Sequence, residues 1–214
     1  MNRIYLSTAQ LIFVIVVPIV VVIVLIIFGL IPLLKHLRKA KYREYYYKTV
    51  RKIALNQDYY LINQFVFPTD DNHKGIIDHV LFGDKYIYVI SSAYYPGDLT
   101  GQIFDQSLIL IPKKGRKKYV SNPILQNKKL LTRLSMMLEL DQDLLIGISI
   151  TNDDVNLDIK GESKQFYAIQ RNKLPALVKA IESRNIPTIN EEQLARAVQG
   201  FDKMKQKYKK KHEK

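Results

Sequence analysis

Cysteine and tryptophan are both absent from the 214 residues of this chain. Without cysteine there are no disulfide bonds, no zinc sites built from thiolates and no cysteine nucleophile. The sequence also lacks a Walker loop, a G-x-G-x-x-G dinucleotide fingerprint, an H-E-x-x-H zinc motif and a G-x-S-x-G nucleophile elbow. These absences argue against four common enzyme classes. What remains is a basic chain, of formal net charge +13, in which no such local motif defines an activity.

Charged residues are absent from residues 11–34, LIFVIVVPIVVVIVLIIFGLIPLL. A helix of this length, rising about 1.5 Å per residue, crosses the roughly 30 Å hydrocarbon core of a bilayer with some tilt. Pro18 and Pro32 are compatible with it, because membrane helices tolerate proline. A cleaved signal peptide is the alternative, but the apolar run is too long and no small-residue cleavage site follows. The sequence therefore predicts a transmembrane helix at 11–34.

Basic residues follow this apolar run at once, whereas only Arg3 and the terminal amine precede it. The basic cluster is Lys35, Arg38, Lys39, Lys41 and Arg43. The positive-inside rule then predicts a single-pass protein of the cell membrane, with residues 1–10 outside and the C-terminal part in the cytoplasm. Each cation near an anionic lipid surface is worth about 1 kcal/mol, so we expect the cluster to lie at the bilayer surface. Residues 35–56 are predicted to form a basic and aromatic helix next to the membrane.

The rest of the chain alternates between strand and helix patterns, which favours an α/β domain over residues 57–200. Predicted strands are 59–67, 76–82, 86–90, 144–150 and 165–169, and predicted helices are 123–140, 174–183 and one that starts at 190–192. The strands 76–82 and 86–90 flank a Gly83-Asp84-Lys85 turn and predict a β-hairpin. We expect one central mixed sheet with flanking helices, an acidic loop over 151–161, and a basic C-terminal tail over 201–214.

Asp78 is the one acidic residue in the apolar first strand of this hairpin. Burying even a neutral polar group without a partner costs roughly 2 to 7 kcal/mol, and a charge costs more. We therefore expect a cation, a metal ion or a group of hydrogen-bond donors beside Asp78. The alternative is structural: Asp78 caps a turn or pairs with a lysine.

Two separated motifs carry a resemblance to a known family. The first is Ile77-Asp78-His79 followed by an apolar strand, a short turn and a second strand that ends in Val89-Ile90. The second is the Asn122-Pro123-x-x-Gln126 segment. In order and spacing, residues 44–140 resemble the core of the NERD (nuclease-related) domain family. The resemblance implies a PD-(D/E)xK fold, that is, a restriction-endonuclease-like mixed sheet with flanking helices, here placed after an N-terminal transmembrane helix.

The sequence departs from the family at the end of the second strand. There the family has an acid-x-lysine triplet, whereas this chain has Ser91, Ser92 and Ala93. In such nucleases the aspartate and the acid hold Mg²⁺, and the lysine stabilises developing charge. The resemblance therefore implies that Asp78 and Gln126 are remnants of a catalytic site. It predicts a degenerate nuclease domain without a cofactor, which binds DNA, RNA or a protein partner.

Two alternatives stay open. The first is an active Mg²⁺-dependent nuclease in which Asp78 binds the metal and the lost groups are relocated. The candidates for relocation are Glu44, Asp84 or Asp98 for the acid, and Lys74 or Lys85 for the lysine. The family places an acid on the helix before the hairpin, where this chain has Tyr47, with Glu44 one turn earlier on the same face. The second alternative is a non-enzymatic membrane scaffold protein.

A basic run occupies residues 113–118, KKGRKK. Its cations are Lys113, Lys114, Arg116, Lys117 and Lys118. We predict a hairpin tip that contacts nucleic-acid backbone, since phosphate contacts dominate the affinity of such complexes. The alternative is a solvated surface loop.

Gln126 lies in the first turn of a predicted helix, in which Asn122 is the N-cap and Pro123 takes the first helical position. This places Gln126 near the positive end of the helix dipole. A phosphate suits that place, which is equally an ordinary helix start.

Overall fold

The computed structural model describes residues 8–30, 33, 41–68 and 74–212, with side chains at 14–28, 30, 33, 41–68 and 75–206. The chain divides into two compact units, with the boundary between Tyr42 and Arg43. Residues 43–56 of the basic and aromatic helix predicted at 35–56 belong to the second unit.

The first unit contains one long apolar helix. Helix α1 spans Thr8–Leu25 and continues as a π-helical turn over Ile26–Leu30. Every side chain from Val14 to Phe28 is exposed. Within the part of the chain that the structure describes, no helix reaches the combined length and hydropathy of a membrane span. The end of the predicted span, at residues 31–32 and 34, lies outside the described residues, as do Lys35, Arg38 and Lys39.

The second unit has nine strands and four longer helices among its described residues. The strands are β1 (Tyr60–Pro68), β2 (Lys74–Phe82), β3 (Ile87–Ser92), β4 (Gly97–Gln102), β5 (Ser107–Pro112), β6 (Lys118–Ser121), β7 (Leu145–Thr151), β8 (Leu157–Lys160) and β9 (Phe166–Gln170). The helices are α2 (Tyr42–Gln57), α3 (Pro123–Leu138), α4 (Leu174–Glu182) and α5 (Glu191–His212). Short 3-10 turns cover Gln142–Leu144 and Arg171–Lys173. The predicted α/β class and the predicted β2–β3 hairpin are confirmed.

The strands form two mixed sheets where the sequence predicted one. The first sheet has the order β1-β2-β3-β7-β9, with β1, β2 and β3 antiparallel and β7 and β9 added in parallel. The second has the order β6-β5-β4-β8. The prediction of an acidic loop over 151–161 was wrong in part, because β8 lies within it and pairs in parallel with β4. The partner strand β4 is more than fifty residues away in the sequence, so no local pattern predicts this pairing.

Helix α2 buries one apolar stripe, and the ring of its Tyr47 lies 6.1 Å from that of His79 on β2. Its buried residues are Tyr46, Val50, Ile53 and Ala54, which recur at the spacing of one helix face. The hydroxyl of Tyr46 also donates to the carbonyl of Ala93, just past the end of β3, at 3.3 Å. This contact fixes the start of α2 beside the end of the hairpin that carries Asp78.

The main core lies between the first sheet, α3 and α5. Its fully buried members include Phe65, Phe67, Leu134 and Phe201. The expected C-terminal tail from residue 201 was wrong in its starting point, because α5 continues through it to His212 and Phe201 is buried. The reason is helical spacing: Ala197 and Phe201 are four residues apart and face the core together, with Met204 packed beside them.

Candidate functional site

Asp78 lies where the side-chain alternation of two strands changes phase. The main core contains Ile62 and Phe65 from β1, and Ile77 and Val80 from β2. In each strand, therefore, an even-numbered and an odd-numbered residue face the same side of the sheet. Between them, Gln64 has a positive φ of 50°, a conformation that is rare for a residue with a side chain. A regular strand would alternate strictly. The phase change directs Asp78 away from the core and toward the side of the sheet that α2 covers.

The carboxylate of Asp78 is held by Ser92. Its Oδ2 accepts hydrogen bonds from the backbone N–H of Ser92 at 2.7 Å and from the Ser92 hydroxyl at 2.6 Å. The expectation of donors beside Asp78 is thus confirmed. Sequence reasoning missed Ser92 because it treated this residue as the spacer of the triplet. The available signal was a hydroxyl residue at the end of an apolar strand.

The other two residues of the triplet face elsewhere. Ser91 Oγ lies 3.3 Å from Ser149 Oγ on β7, and Ser149 donates to the carbonyl of Pro123 at 3.0 Å. The backbone N–H of Ala93 donates to the carbonyl of Ile150 at 2.9 Å. Ser91 and Ala93 therefore tie the end of β3 to β7 and to the start of α3.

A cavity of about 430 Å³ opens beside Asp78 and Ser92. The other residues that line it are Arg43, Glu44 and Tyr47 from α2, Asn63 and Gln64 from β1, and His79 from β2. Glu44 and Tyr47, which the sequence places one turn apart on one face of this helix, both line the cavity. Glu44 also forms an exposed ion pair with Lys48, with Oε1 2.8 Å from Nζ. Two carboxylates, one guanidinium and one imidazole thus share a single opening.

His79 is buried in the wall of this cavity. Its Nδ1 lies 2.8 Å from Oδ1 of Asn63, and its ring lies 6.1 Å from that of Tyr47. Burial lowers the pKa of His79 below its ordinary value of 6.5, because the charged imidazolium is poorly solvated there, while the nearby Asp78 carboxylate opposes the shift. The neutral form is therefore favoured in the folded protein.

We expect acid to destabilise the fold through His79. Since the pKa of His79 is lower in the folded than in the unfolded chain, its contribution is present above the unfolded pKa and is lost as the pH falls through the folded pKa. The measurement is the urea unfolding midpoint, by circular dichroism, between about pH 8 and pH 5. The loss of stability toward low pH should be smaller in His79→Gln than in the wild type. Parallel pH profiles for the two proteins would contradict the assignment.

Several predicted residues do not line this cavity. Asp84 accepts from the Tyr59 hydroxyl at 3.3 Å, and Asp98 accepts from the N–H of Asn156 at 3.0 Å in the second sheet. Lys85 donates through Nζ to the carbonyl of Arg184. The side chain of Lys74 lies outside the described residues. Of the relocated groups considered from sequence, the structure brings Glu44 to Asp78, and it does not bring Asp84, Asp98 or Lys85 there.

In the Asn122-Pro123-x-x-Gln126 motif, Asn122 is the residue that makes the structural contacts. This side chain is fully buried; it accepts from the N–H of Ile124 at 3.0 Å and donates to the carbonyls of Ile103 and Asp105 at 3.1 and 2.8 Å. It thereby caps α3 as predicted and also holds the β4–β5 turn against the start of the helix. Gln126 is exposed in the first turn of α3 and is not among the residues that line the cavity beside Asp78.

The sequence predicted two basic surfaces, one at the hairpin tip and one beside the membrane. Residues 113–117 join antiparallel β5 and β6, which confirms the hairpin tip, and its cations are exposed. Lys113 Nζ lies 3.8 Å from Oδ2 of Asp154. In the cluster predicted at the membrane surface, Lys41 is exposed and Arg43 lines the cavity beside Asp78.

Among the residues that the structure describes, no group of three or more His, Asp or Glu side chains could hold a metal ion.

Two mixed sheets, flanking helices and an aspartate at the end of a β-hairpin define a mixed α/β domain consistent with a nuclease-like fold. The chain belongs to the NERD, or nuclease-related domain, family, whose model matches residues 39–151. This match confirms the resemblance read from the two motifs. Neither the search of curated proteins nor the search of solved structures found a match.

Proposed function

We propose that this chain is a membrane-tethered, catalytically degenerate nuclease-related domain that binds nucleic acid or a protein partner at the cytoplasmic face without cutting it. The observation that carries the proposal is the pairing of Asp78 with Ser92 through two hydrogen bonds of 2.7 and 2.6 Å. These two donors stabilise the carboxylate of Asp78. Asp78 then serves to fix the end of β3.

The donors around Asp78 are a poor match for magnesium. Mg²⁺ requires near-octahedral oxygen ligation and is usually held by one or two carboxylates together with water and phosphate. The Oδ2 atom of Asp78 already accepts two hydrogen bonds, and Oε1 of Glu44 is paired with Lys48 at 2.8 Å. Ser91 and Ala93 add no charged ligand. We therefore expect no resident metal at this site.

The membrane tether rests on helix α1 and on the sequence around it. All side chains from Val14 to Phe28 are apolar and exposed, so the helix has no polar side to turn toward water. A helix that is hydrophobic all round is suited to lipid or to a protein core. Together with the basic residues that follow it in the sequence, this supports an anchor with the α/β domain in the cytoplasm.

The prediction that tests degeneracy is an absence of cleavage. The full chain in detergent, incubated with single- and double-stranded DNA and RNA and with Mg²⁺ or Mn²⁺, should leave every substrate intact. Asp78→Ala should behave in the same way, because Asp78 performs no chemistry in this proposal. Gel analysis of the substrates is the measurement. Metal-dependent cleavage that Asp78→Ala abolishes would overturn the proposal.

One observation favours a second candidate, an active Mg²⁺-dependent nuclease. Glu44 and Asp78 line the same cavity, so a second carboxylate stands on the side that the family's helix acid occupies. The metal would have to displace the Ser92 donors and break the Glu44–Lys48 pair. In that case Glu44→Gln and Asp78→Ala should each abolish cleavage. Lys85→Gln should leave it unchanged, because its ammonium is bound to the carbonyl of Arg184.

Nucleic-acid binding separates a nucleic-acid-binding or nuclease function from a protein-binding domain or a membrane scaffold. The exposed tip at 113–117 presents cations that suit a phosphate backbone, and binding through them weakens as salt rises. Affinity for oligonucleotides across a salt series is the measurement. No affinity even at low salt would leave the protein-partner and scaffold readings.

A further inference from the structure

A second cavity, of about 490 Å³, lies between α3 and the turn that joins β4 to β5. We call it the α3 groove; the residues that line it include Phe104 and Gln106 from the turn and Leu125, Lys128, Lys129 and Arg133 from α3. We infer that the α3 groove binds single-stranded nucleic acid, with phosphates against its cations and one base stacked on Phe104. The inference rests on the proposed function and locates a surface for it away from Asp78.

The charge of the groove favours an anionic ligand. Lys128, Lys129 and Arg133 all line it, and among the described residues that do so none is acidic. On a helix, residues three or four positions apart share a face, so Leu125, Lys128 and Lys129 are presented together. The buried side of α3 carries other residues, such as Leu131 and Leu134, whereas Lys128 and Lys129 are exposed and Lys128 Nζ lies 5.9 Å from the centroid of the Phe166 ring.

Phe104 gives the groove an exposed aromatic ring. It lies in the β4–β5 turn with 70% of its surface accessible, so most of the ring is open to a stacking partner. The Asn122 contacts hold this turn in place from both sides, at the carbonyls of Ile103 and Asp105. The adjacent Asp105 carboxylate accepts from the N–H of Gln102 at 2.8 Å, so it is bonded within the turn.

An exposed ring beside cations is suited to a single strand in particular. Any base can stack on an aromatic side chain, and cations along a groove follow the backbone, which is how sequence-tolerant single-strand binding works. In a duplex the bases are already stacked on each other, so the ring has no base to contact. An acidic peptide would match the charges, but it gives no reason for the exposed ring.

Fluorescence anisotropy tests the inference with the full chain in detergent, a labelled single-stranded oligonucleotide and a duplex of the same length. Phe104→Leu should weaken single-strand affinity by about five-fold or more and leave duplex affinity unchanged, since stacking is lost while an apolar side chain remains. The double variant Lys128→Gln/Lys129→Gln should weaken binding and reduce the slope of log affinity against log salt by about 1.4.

The matched control is Lys52→Gln/Lys203→Gln, which removes the same charge from exposed lysines on α2 and α5 that do not line the groove. It should stay within about two-fold of the wild type, because distant exposed charges are screened. Melting curves by circular dichroism should coincide for all four proteins, since every substituted side chain is exposed.

The outcomes separate this inference from the proposed function. If the wild type binds single strands and the groove variants bind equally well, the groove is not the site, while nucleic-acid binding stands. If the wild type binds no oligonucleotide at low salt, both the groove and nucleic-acid binding fail. If the groove variants lose affinity for polyglutamate and keep it for the oligonucleotide, the surface recognises acidic protein and the inference is wrong.

Discussion

Replacing Phe201 with alanine should lower the free energy of unfolding by about 3 to 5 kcal/mol, the usual cost of removing a buried phenylalanine ring. Phe201 is fully buried, and its ring meets Phe65 and Phe82 edge-on at centroid distances of 4.9 and 5.3 Å. Such ring pairs add to the burial energy. Since a domain is stable by only about 5 to 15 kcal/mol, the variant should be close to unfolding.

The matched control for this prediction is Phe104→Ala. It deletes the same ring from a position that is 70% exposed, so the free energy of unfolding should change by less than about 1 kcal/mol. Urea unfolding of both variants by circular dichroism is the measurement. If the two phenylalanines proved equally dispensable, α5 beyond residue 200 would not be part of the core, and the tail expected from the sequence would be the better description.

Replacing Asn122 with alanine should cost about 3 kcal/mol, the second largest effect that we expect. The loss combines an N-cap, worth about 0.5 to 2 kcal/mol, with buried carbonyls left without a donor, at about 1 to 3 kcal/mol. Both groups of contacts come from one fully buried side chain. Asn122→Asp should be about as destabilising, because it keeps the cap but directs a carboxylate oxygen at the carbonyls of Ile103 and Asp105.

The α5 cap provides the comparison for Asn122. There, Oδ1 of Asn190 accepts from the N–H of Glu192 at 2.9 Å in an exposed setting. Asn190→Ala should cost about 1 kcal/mol, the value of a cap alone. Urea midpoints measured side by side give the difference. Equal losses at the two positions would show that the contacts of Asn122 to the β4–β5 turn contribute nothing beyond capping.

Most of the local structure could be predicted because its signals lie close together in sequence. The β2–β3 hairpin is specified by two apolar runs and a glycine turn within twenty residues, and the start of α3 by Asn122 and Pro123. Binary pattern and turn chemistry fix such elements almost regardless of what packs against them. The family motifs could also be recognised from the sequence, because each consists of neighbouring residues. The family match confirms the resemblance.

The candidate site was harder to predict than the elements that carry it. Motif spacing assigned the lost acid to Ser91, yet Asp78 meets Ser92, and Ser91 contacts Ser149. The positive φ of Gln64 on β1 lies between the register pairs Asn63–His79 and Phe65–Ile77, where the side chains of β1 and β2 change phase beside Asp78. A one-residue change of phase moves a side chain to the other face of a sheet, and a glutamine in a polar-apolar strand gives no warning of it.

By itself, the sequence determined the α/β class, the hairpin with Asp78 in its first strand, the basic hairpin tip and the family of the domain, because each depends on residues that are neighbours along the chain. Only the tertiary structure decided that there are two sheets, that Phe201 belongs to the core, that Glu44 shares a cavity with Asp78, and that Phe104 stands beside the cations of α3. Each of these joins residues that are distant in sequence, or requires knowing which face of an element is covered, and both follow from how the elements pack.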